Sequence, residues 1–315
     1  MDVITFGETM ALFAPENGGL MKYASSYNRK FGGAESNVAI GLSRLGHNVG
    51  WISKVGNDEL GKGMVAFIRG EGVDVSQVKV VEAPTGIYFK EIRNHSDVRV
   101  QYYRHGSAAS TLTKADILDE YVSQAKYLHI TGITPALSDS CYETVLHAMK
   151  KAKEIGVTII FDPNLRKKLW SEEKARKVLL EIVSQSDIIL PGVAEGEFLF
   201  GESDISTLGD KFLSHGAKLV IIKDGANGAH YFNEGEEGFV PAFKVEQVID
   251  PVGAGDGFAA GFISGLLDQL SITDALTRAN AVGAMVTQVS GDVEGLPDQN
   301  ELLDFLKQDN EDVKR

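Results

Sequence analysis

Short apolar runs alternate with amphipathic stretches along most of the chain. Continuous apolar runs of about four to eight residues are typical of buried strands, whereas apolar residues that recur roughly every three or four positions are typical of helices. The first pattern predicts strands at Val3–Phe6, Asn48–Val55, Tyr127–Thr131, Val157–Phe161, Ile188–Leu190 and Leu219–Ile222, and the second predicts helices from Ala34, at Ser140–Ile155 and at Ser171–Ser184. Strands joined by helices form βαβ units, so we expect a mainly parallel sheet with helices on both faces and ligands beyond the carboxyl ends of its strands.

One segment departs from this alternation. Between Thr85 and Arg104, apolar and polar residues alternate singly on both sides of a polar turn at Asn94-His95-Ser96-Asp97, and there is no helical period. This pattern predicts a β-hairpin whose two faces differ in chemistry. A hairpin inserted into an α/β chain is a candidate lid over an active site; the alternative is an edge hairpin that extends the main sheet.

The composition places the chain among globular proteins and limits its partners. Of its 315 residues, 43% are hydrophobic and 24% are charged, which suits one large domain over residues 1–315. The 44 acidic and 31 basic residues leave a formal net charge of -13. This excess argues against a nucleic-acid partner, and also against an enzyme that attracts anionic substrates through its overall field.

The cysteine count and the apolar runs limit the possible metal sites and the expected location of the protein. Cys141 is the only cysteine, so neither an intramolecular disulfide nor a thiolate-rich zinc site can form. The first residues lack a basic region followed by a long apolar stretch, and no apolar run approaches the roughly 18 residues of a membrane span. We therefore expect a cytoplasmic protein with no membrane partner. The 34 glycines exceed the usual share of about 7%, which predicts tight turns or close approaches between backbone and ligand.

The glycine-rich segment Asp250–Phe262 carries the clearest candidate chemistry. Small residues at Gly253, Ala254 and Gly255 let backbone N–H groups converge at the start of a helix, which is a site for a phosphate or for charge that develops on one. Asp256 follows directly, where a carboxylate can accept a proton from an attacking hydroxyl during phosphoryl transfer. The alternative is an ordinary glycine-rich helix start that Asp256 caps.

Two other glycine motifs fit their patterns incompletely. Gly255-x-Gly257-x-x-Ala260 matches a dinucleotide fingerprint, but it does not open the first βαβ unit, and the intervening acid would oppose a pyrophosphate. The segment from Gly56 to Gly63 is similar to a P-loop, but Gly63 replaces the magnesium-binding hydroxyl residue and the interior carries two acids. We interpret both motifs as coincidences.

A second constellation, Gly32-Gly33 followed by Glu35 and Asn37, places close-approaching backbone and polar side chains where a polyhydroxylated ligand could bind. With it, the sequence resembles the ribokinase-like (PfkB) carbohydrate kinases: one signature of that family is similar to residues 32–46 and another to residues 250–262. The resemblance implies a ribokinase-like three-layer α/β/α domain with a mainly parallel sheet and a small β-sheet lid, contributed by about residues 8–30 and 85–105. It also implies ATP as the phosphoryl donor, and Mg²⁺.

The resemblance also implies roles for individual residues. It makes Asp256 the catalytic base and places an anion hole at Gly253, Ala254 and Gly255. The residues that it implies for nucleotide binding are Asn164, Arg166, Lys223, Gly225, Asn227, Gly228, Gly253, Gly255 and Asn280. The turn Lys223–Gly228 has a simpler interpretation as a plain hairpin turn, because Asn-Gly is a common hairpin signal. Glu195 lies in Gly192-x-x-Glu195, where many relatives have Asn-x-x-Glu, and we expect it to order Mg²⁺ through water rather than to bind it directly.

Further motifs resemble the branch of this family that phosphorylates 2-keto-3-deoxygluconate; they are at residues 6–10, 102–104, 162–166, 191–195 and 291–295. The implied substrate-binding residues are Gly33, Tyr88, Tyr102, Arg104, Arg166, Asp256 and Asp292. Arg104 and Arg166 are the expected partners of a sugar-acid carboxylate, which guanidinium groups bind with paired hydrogen bonds; the ordinary alternative is surface or lid packing. The implied reaction is ATP-dependent phosphorylation of 2-dehydro-3-deoxy-D-gluconate to its 6-phosphate, by a homo-oligomer that pairs through the lid.

Three alternatives stay open. Another sugar kinase of the family, of the fructokinase or ribokinase type, would act on a substrate without a carboxylate and would leave Arg104 and Arg166 to be explained otherwise. A non-catalytic sugar or nucleotide sensor could use the same fold, although Asp256 and the unbroken segment Gly253–Gly255 argue against it. A nicotinamide-dependent dehydrogenase is the third alternative.

Overall fold

The computed structural model describes residues 1–17, 19–94 and 97–312, and these ranges contain thirteen strands and eleven α-helices. The strands are β1 (Val3–Phe6), β2 (Met10–Pro15), β3 (Tyr27–Gly32), β4 (Val49–Gly56), β5 (Val78–Val81), β6 (Ile87–Asn94), β7 (Asp97–Tyr103), β8 (Tyr127–Thr131), β9 (Thr158–Asp162), β10 (Ile188–Ile189), β11 (Leu219–Lys223), β12 (Gly228–Asn233) and β13 (Glu236–Pro241). The helices are α1 (Ala34–Arg44), α2 (Glu59–Gly70), α3 (Asp119–Val122), α4 (Thr134–Leu137), α5 (Asp139–Ile155), α6 (Glu172–Val183), α7 (Val193–Phe200), α8 (Ile205–Ser214), α9 (Ala254–Leu267), α10 (Ile272–Thr287) and α11 (Gln299–Asp312). None of the helices within the described ranges has both the length and the apolar composition that crossing a bilayer requires.

Nine strands form one large sheet in the order β13-β12-β11-β10-β9-β8-β1-β4-β5. The seven strands from β11 to β5 are parallel, and β12 and β13 extend one edge in antiparallel pairing. All six strands predicted from apolar runs are present in this sheet, within one or two residues of their predicted bounds. The prediction of a mainly parallel sheet is therefore confirmed.

Helices cover both faces of the large sheet because neighbouring residues of a strand point to opposite sides. Val3 and Trp51 pack into the core on one face, together with α1, α2, α9 and α10. Ile4 and Ile52 pack into the core on the other face, together with α5, α6, α7 and α8. All four of these strand side chains are completely buried. The domain is therefore the expected three-layer α/β/α arrangement.

The hairpin predicted between Thr85 and Arg104 forms β6 and β7, which pair antiparallel with Tyr88 opposite Tyr102. It belongs to a separate four-stranded sheet of order β3-β2-β6-β7, so the alternative that it extends the large sheet is wrong. Positions 95 and 96 of the predicted turn lie outside the described residues. One face of this small sheet carries an apolar cluster formed by Met10, Leu12, Tyr88, Val100 and Tyr102.

The chain crosses between the two sheets four times, at residues 7–9, 33, 82–86 and 104–108. The first crossing leaves the carboxyl end of β1, and the second leads directly into α1. The small sheet is therefore attached at the edge of the large sheet where parallel strands end, which is the edge where ligands bind in folds of this kind.

Candidate active site

A cavity of about 370 Å³ lies between the small sheet and the carboxyl ends of the large sheet; we call it the polar cavity. Its walls combine residues of both sheets with the start of α9. The residues that line it are Glu8, Met10, Gly32, Gly33, Ala34, Asn37, Tyr88, Val100, Tyr102, Arg104, Ile133, Asp162, Asn164, Arg166, Glu195, Lys223, Pro251, Val252, Gly253, Gly255, Asp256 and Asp292. The structure thus brings together all seven residues that the sequence predicts for substrate binding.

Helix α9 begins at the wall of this cavity. Gly253 precedes the helix with a φ of +87°, which residues with a side chain rarely adopt, and a Cβ there would lie 2.7 Å from the carbonyl oxygen of Asp292. Glycine is therefore required at Gly253 by both conformation and space. A Cβ at Gly255 would meet only Nζ of Lys223, at 4.0 Å, so this turn of backbone is open to a ligand. The first N–H groups of a helix lack internal partners and are suited to bind an anion.

Asp256 lies in the first turn of α9, and side-chain amides approach both of its carboxylate oxygens. Asn37 Nδ2 donates to Oδ2 at 2.7 Å, and Asn164 Nδ2 lies 3.4 Å from Oδ1. Burial raises the pKa of Asp256 to about 7, and the carboxylates of Asp162 and Asp292 act in the same direction. A carboxyl group with a pKa near neutrality is matched to proton transfer. The N-cap of α9 is Gly253, and no side chain caps the helix, so the alternative in which Asp256 is only a cap is wrong.

Asn164 reaches Asp256 from an unusual backbone conformation. It follows β9 by two residues and has a φ of +37°, which is uncommon for a residue with a Cβ. Its N–H donates to Oδ1 of Asp162 at 3.1 Å, and this bond helps to hold the turn. Conformations of this kind persist where surrounding contacts impose them, and they occur often at functional sites.

Lys223, at the end of β11, is surrounded by carboxylates. Its Nζ donates to Oδ2 of Asp162 at 2.6 Å. Burial alone would lower the pKa of Lys223, but the carboxylates of Asp162 and Glu195 outweigh it and raise that pKa. Glu195 accepts the N–H groups of Leu165 and Gly192, each at 2.7 Å, one on each oxygen. Burial and the nearby Asp162 raise the pKa of Glu195.

The fit of Mg²⁺ to this region follows from these contacts. The described residues contain no group of three or more acidic, histidine or cysteine side chains placed to hold a metal ion. Asp162 is paired with Lys223, and each oxygen of Glu195 already accepts a backbone N–H. Such carboxylates fit an ion that keeps most of its waters, which Mg²⁺ does readily, and do not form a cage of protein ligands.

The two arginines of the polar cavity have different surroundings. Arg104 is buried, and its Nε and Nη2 both donate to Oε2 of Glu8, at 2.7 and 2.6 Å. Glu8 also accepts a hydrogen bond from Ser107. Arg166 is exposed, and its Nη1 lies 3.4 Å from the carbonyl oxygen of Leu165. It forms no ion pair in the described part of the chain, but its charge lowers the pKa of Asp256. Arg166 is therefore available to a bound anion, whereas two of the three guanidinium nitrogens of Arg104 already donate to Glu8.

Asp292 joins the small sheet to the loop beside α9. Its Oδ2 accepts a hydrogen bond from the hydroxyl of Tyr88 at 2.7 Å, and its Oδ1 accepts one from Nζ of Lys90 at 3.1 Å. The ring of Tyr88 packs on that of Tyr102 with centroids 5.7 Å apart, and the guanidinium of Arg104 lies 5.4 Å from the Tyr102 ring centroid. These contacts align the predicted substrate-binding side chains of the small sheet.

A second cavity, of about 640 Å³, adjoins the first and shares Lys223, Pro251 and Gly255 with it; we call it the apolar cavity. Its other lining residues are Gly225, Ala226, Gly228, Ala242, Phe243, Lys244, Val245, Val248, Ala254, Phe258, Asn280, Gly283, Ala284 and Thr287. Most of the predicted nucleotide-binding residues line one of the two cavities. Asn227 lines neither: its side chain is exposed, and Nδ2 donates to Oδ2 of Asp224 at 3.0 Å within the β11–β12 turn. The simpler interpretation of that turn as a hairpin is right for its backbone.

The sequence predicts two residues next to the diglycine Gly32-Gly33, Glu35 and Asn37, as ligand partners, and only one of them lines a cavity. Asn37 lines the polar cavity, although its amide donates to Asp256. Glu35 lines neither cavity, because it is completely buried and its Oε1 accepts the hydroxyls of Thr131 and Thr134 at 2.7 Å each. The expectation that Glu35 binds a polyhydroxylated ligand is therefore wrong; burial raises its pKa, and the side chain belongs to the core.

Other residues of the site were given no role by sequence reasoning. Glu8, Asp162 and Asp250 lie inside motifs that were noticed, but a motif does not say which partner each acid takes. Lys90 was missed altogether. Its signal was present, because the alternation in β6 puts Lys90 on the same face as Tyr88, where a buried lysine requires an acidic partner.

Comparison with known proteins finds similarity to carbohydrate kinases over almost the whole chain. A model of the family described as "pfkB family carbohydrate kinase" matches residues 1–299. A curated relative from Bacillus subtilis (strain 168), named 2-dehydro-3-deoxygluconokinase, is 46% identical over 310 residues, which cover 97% of this chain and 95% of the relative. A relative of the same name from Thermoproteus tenax is 35% identical over 314 residues, which cover 98% and 94%.

Two further similarities concern a different sugar and a bound nucleotide. Fructokinase-1 of Oryza sativa subsp. japonica is 34% identical over 319 residues, which cover 97% of each chain. A crystal structure from E. coli, solved in complex with ATP and Mg²⁺, is 28% identical and has a TM-score of 0.91 over 98% of this chain and 99% of that chain. The similarity extends over both sheets.

Proposed function

The chain belongs to the pfkB family of carbohydrate kinases, and from that premise we propose that it transfers the γ-phosphoryl group of ATP to the 6-hydroxyl of 2-dehydro-3-deoxy-D-gluconate. The observation that carries this proposal is the position of Asp256, which lies at the start of α9 where a polar and an apolar cavity meet. Similarity to the relatives named 2-dehydro-3-deoxygluconokinase supports the choice of sugar.

Each substrate is assigned to the cavity whose chemistry suits it. ATP occupies the apolar cavity, where Asn280 and apolar side chains suit a purine and Gly225 and Gly228 let the ribose and phosphates approach the backbone. Its phosphates extend toward Lys223 at the junction of the cavities. The sugar acid occupies the polar cavity and contacts Gly33, Tyr88, Tyr102, Arg104, Arg166, Asp256 and Asp292.

The reaction follows from the position and the pKa of Asp256. Its carboxylate accepts the proton of the sugar hydroxyl while that oxygen forms a bond to the γ-phosphorus. The bond from this phosphorus to the bridging oxygen breaks, and ADP leaves with the electron pair. A pKa of about 7 leaves much of the carboxylate ionised at neutral pH and still able to hold a proton. The N–H groups of Gly253, Ala254 and Gly255 stabilise charge on the transferred group.

Mg²⁺ that binds with ATP neutralises phosphate charge in such transfers. We assign Glu195 to the water shell of that ion, since both of its oxygens accept N–H bonds but each keeps a further lone pair. Asn164 lies in the same wall of the polar cavity and is assigned to the γ-phosphate side of the nucleotide, whereas Arg166, which the sequence also predicts for the nucleotide, is assigned to the sugar carboxylate.

The carboxylate of the sugar acid is assigned mainly to Arg166. This guanidinium forms no ion pair in the ranges that the structure describes, so a substrate carboxylate would be its first ion-pair partner. Arg104 keeps Nη1 for the substrate, because Glu8 takes Nε and Nη2. An uncharged ketose or pentose would leave Arg166 without an acid, which is the physical argument against a fructokinase or ribokinase.

The small sheet is proposed to be a lid, formed by about residues 8–30 and 85–105. Its apolar face carries Tyr88 and Tyr102 into the polar cavity, so closure would exclude water from the phosphoryl group and suppress hydrolysis of ATP. The measurement is ATP hydrolysis in the absence of sugar, which we expect to be at least about 100-fold slower than transfer to the sugar. Equal rates would contradict a role for this sheet in closure.

We also propose that the outer face of this lid pairs with a second copy of the chain. Phe89 packs there against Phe13, Tyr27 and Tyr103 with ring centroids 5.7 to 5.8 Å apart, and Tyr103 is 54% exposed. Exposed aromatic clusters on a sheet face are typical of protein interfaces. Light scattering of the full chain is expected to give a dimer, and Tyr103→Glu is expected to give a monomer. A monomeric parent protein would contradict this proposal.

A substrate panel tests the function directly. The full chain is assayed with ATP and Mg²⁺ against 2-dehydro-3-deoxy-D-gluconate, its galactonate epimer, gluconate, fructose and ribose, with ADP release coupled to NADH oxidation. We expect kcat/KM to be highest for a keto-deoxy sugar acid, and phosphorus NMR to place the new ester at C6. A higher kcat/KM for fructose or ribose would overturn the sugar assignment, and no turnover of any sugar would favour the sensor.

A further inference from the structure

Lys90 is a completely buried cation at the point where the small sheet meets the loops around α9. It extends from β6 on the same face as Tyr88, and its side chain is 2% exposed. Nζ forms an ion pair with Asp250, which is 0% exposed, and a second one with Oδ1 of Asp292 at 3.1 Å. It lines neither cavity and so contacts neither substrate in the proposed arrangement.

The two acids that Lys90 holds fix the backbone around the anion hole. Oδ1 of Asp250 accepts the N–H of Val252 at 3.1 Å, and its Oδ2 accepts the N–H of Gly291 at 3.2 Å. The carbonyl oxygen of Asp292 lies where a Cβ of Gly253 would come within 2.7 Å. Asp250 and Asp292 therefore brace both sides of the turn that leads into α9, and the Lys90 ammonium connects both braces to the small sheet.

We propose that Lys90 is a positioning residue for phosphoryl transfer, which ties the placement of the small sheet to the backbone N–H groups of Gly253, Ala254 and Gly255. An ammonium suits this task because it has three N–H donors and bonds to both acids from one atom. Without it, two buried carboxylates would repel each other, and the loops that carry them would move apart.

The consequence concerns the transition state more than binding. The N–H groups of the anion hole act on charge that develops during transfer, and a displacement of about 1 Å in such a group lowers rates by about 100-fold. The apolar cavity takes most of its lining from the β11–β12 turn, residues 242–248 and α10, which form no ion pair with Lys90 in the described ranges. A positioning role therefore predicts a loss in kcat with little change in the KM for ATP.

The test compares two buried lysines. Lys90→Met removes the charge and keeps all but the last atom of the side chain's length. Lys54→Met is the matched control: Lys54 has an 11% exposed side chain, pairs with buried Asp116 at 2.7 Å, and lines neither cavity. We expect Lys90→Met to lower kcat by about 10- to 100-fold with less than about a threefold change in the KM for ATP. Lys54→Met is expected to lower Tm but to keep kcat within about twofold.

Hydrogen exchange supplies a second readout that needs no substrate. In Lys90→Met, the amides of residues 252–257 and 291–293 are expected to exchange faster than in the parent chain, and in Lys54→Met they are expected to be unchanged. Lys90→Gln, which keeps a donor without the charge, replaces the methionine variant if that variant does not fold. A folded Lys90 variant with parental kcat and unchanged exchange, or an equal loss of kcat in both lysine variants, overturns the proposal.

This inference rests on one part of the proposed function, namely that phosphoryl transfer takes place at the start of α9. The kinetic measurement uses whichever sugar of the panel the parent chain phosphorylates fastest, so a wrong sugar assignment does not affect it. Were no sugar phosphorylated, the proposed function would fail, while the exchange measurement would still decide whether Lys90 holds the loops around Gly253.

Discussion

The polar and apolar cavities meet at Gly255 but are built from different chemistry. The polar cavity is lined by five acidic and three basic side chains, namely Glu8, Asp162, Glu195, Asp256, Asp292, Arg104, Arg166 and Lys223. Among the described residues, the apolar cavity has only Lys223 and Lys244 as charged lining. In the proposed function, recognition in the polar cavity depends on single charged atoms at fixed distances, whereas recognition in the apolar cavity depends on shape and backbone. Substitutions of residues that line the polar cavity should therefore lower activity more than substitutions of residues that line the apolar cavity.

The same comparison explains how the two anions proposed as substrates suit an acidic protein. The chain carries a formal net charge of -13, but charges beyond about 8–10 Å are screened by salt. Inside the polar cavity, burial raises the pKa of Asp256 to about 7, which lessens its negative charge near neutrality, and burial raises the pKa of Glu195 as well. Arg166 forms no ion pair among the described residues, and Lys223 faces both cavities. Local placement of charge therefore matters more than the total.

The largest expected effect is that of Asp256→Asn. Removal of the base should lower kcat by roughly 10²–10⁴-fold, because no other described carboxylate is held by Asn37 at the start of α9. The KM for ATP should change by less than about twofold, since the walls of the apolar cavity are intact. Steady-state kinetics with the best sugar of the panel provides the measurement. Near-normal turnover would remove Asp256 from the role of base.

Thermal unfolding provides the control that this variant is folded. The carboxyl of Asp256 has a pKa of about 7 in the folded protein and a lower one when unfolded, so it destabilises the fold progressively as the pH rises from about 4 to 7. The asparagine side chain carries no such cost. Asp256→Asn should therefore have a higher Tm than the parent chain at pH 8 and a similar Tm near pH 4.

Arg166→Ala should have the next largest effect. Loss of a charge-assisted pair with the substrate carboxylate should raise the KM for the sugar acid by about 10- to 100-fold. An uncharged sugar that the enzyme also accepts should show almost no change, because it has no carboxylate to lose. If the KM values for both sugars and for ATP rise by the same factor, Arg166 does not recognise the carboxylate.

Arg104→Ala separates substrate recognition from support of the fold. It should raise the KM for the sugar acid as well, but it should also lower Tm, because Glu8 would stay buried without its partner at a cost of about 3–5 kcal/mol. Glu8→Gln combined with Arg104→Ala should recover part of the Tm and none of the KM. Recovery of both would mean that Arg104 has only a structural role.

The pH dependence of kcat/KM tests the base without a substitution. A base must be ionised to act, so kcat/KM should fall about tenfold for each pH unit below the pKa of about 7 and should reach a plateau above it. The carboxylate of a sugar acid stays ionised over this range, so the sugar itself does not contribute to the profile. A profile that is flat between pH 5 and 8 would show that the proton is accepted elsewhere.

The sequence was most informative where backbone conformation and composition coincide. Runs such as Val3–Phe6 predict strands because burial on both faces demands continuous apolar residues. Gly253 and Asp256 stand out because small residues at a helix start let its backbone N–H groups converge on an anion, and an acid placed there needs a chemical reason. The large sheet and the first turn of α9 could therefore be predicted.

Partners of buried charges could not be predicted, because they depend on which loops the fold brings together. Arg104 is separated from Glu8 by 96 residues, and Lys90 from Asp250 by 160. The spacing of the residues gives no sign of these pairs. The same limitation explains Glu35, which has the residue type of a sugar ligand but is turned into the core toward Thr131.

The smallest expected effects belong to the apolar cavity. Asn280 is buried, and its Nδ2 donates to the carbonyl oxygens of Val240 and Pro241 at 3.1 and 3.0 Å, which holds the end of β13 against the cavity wall. Asn280→Ala removes these bonds, each worth about 1 kcal/mol, and should raise the KM for ATP by about three- to tenfold with kcat unchanged. Asn227→Ala is the matched control: in the described ranges its side chain bonds only Asp224 and lines neither cavity, so this variant should keep the KM for ATP within about twofold. A larger effect at Asn227 than at Asn280 would show that the nucleotide is held by side chains of the β11–β12 turn. The proposed contrast, in which charged side chains bind the ligand of the polar cavity and shape and backbone bind that of the apolar cavity, would then be wrong.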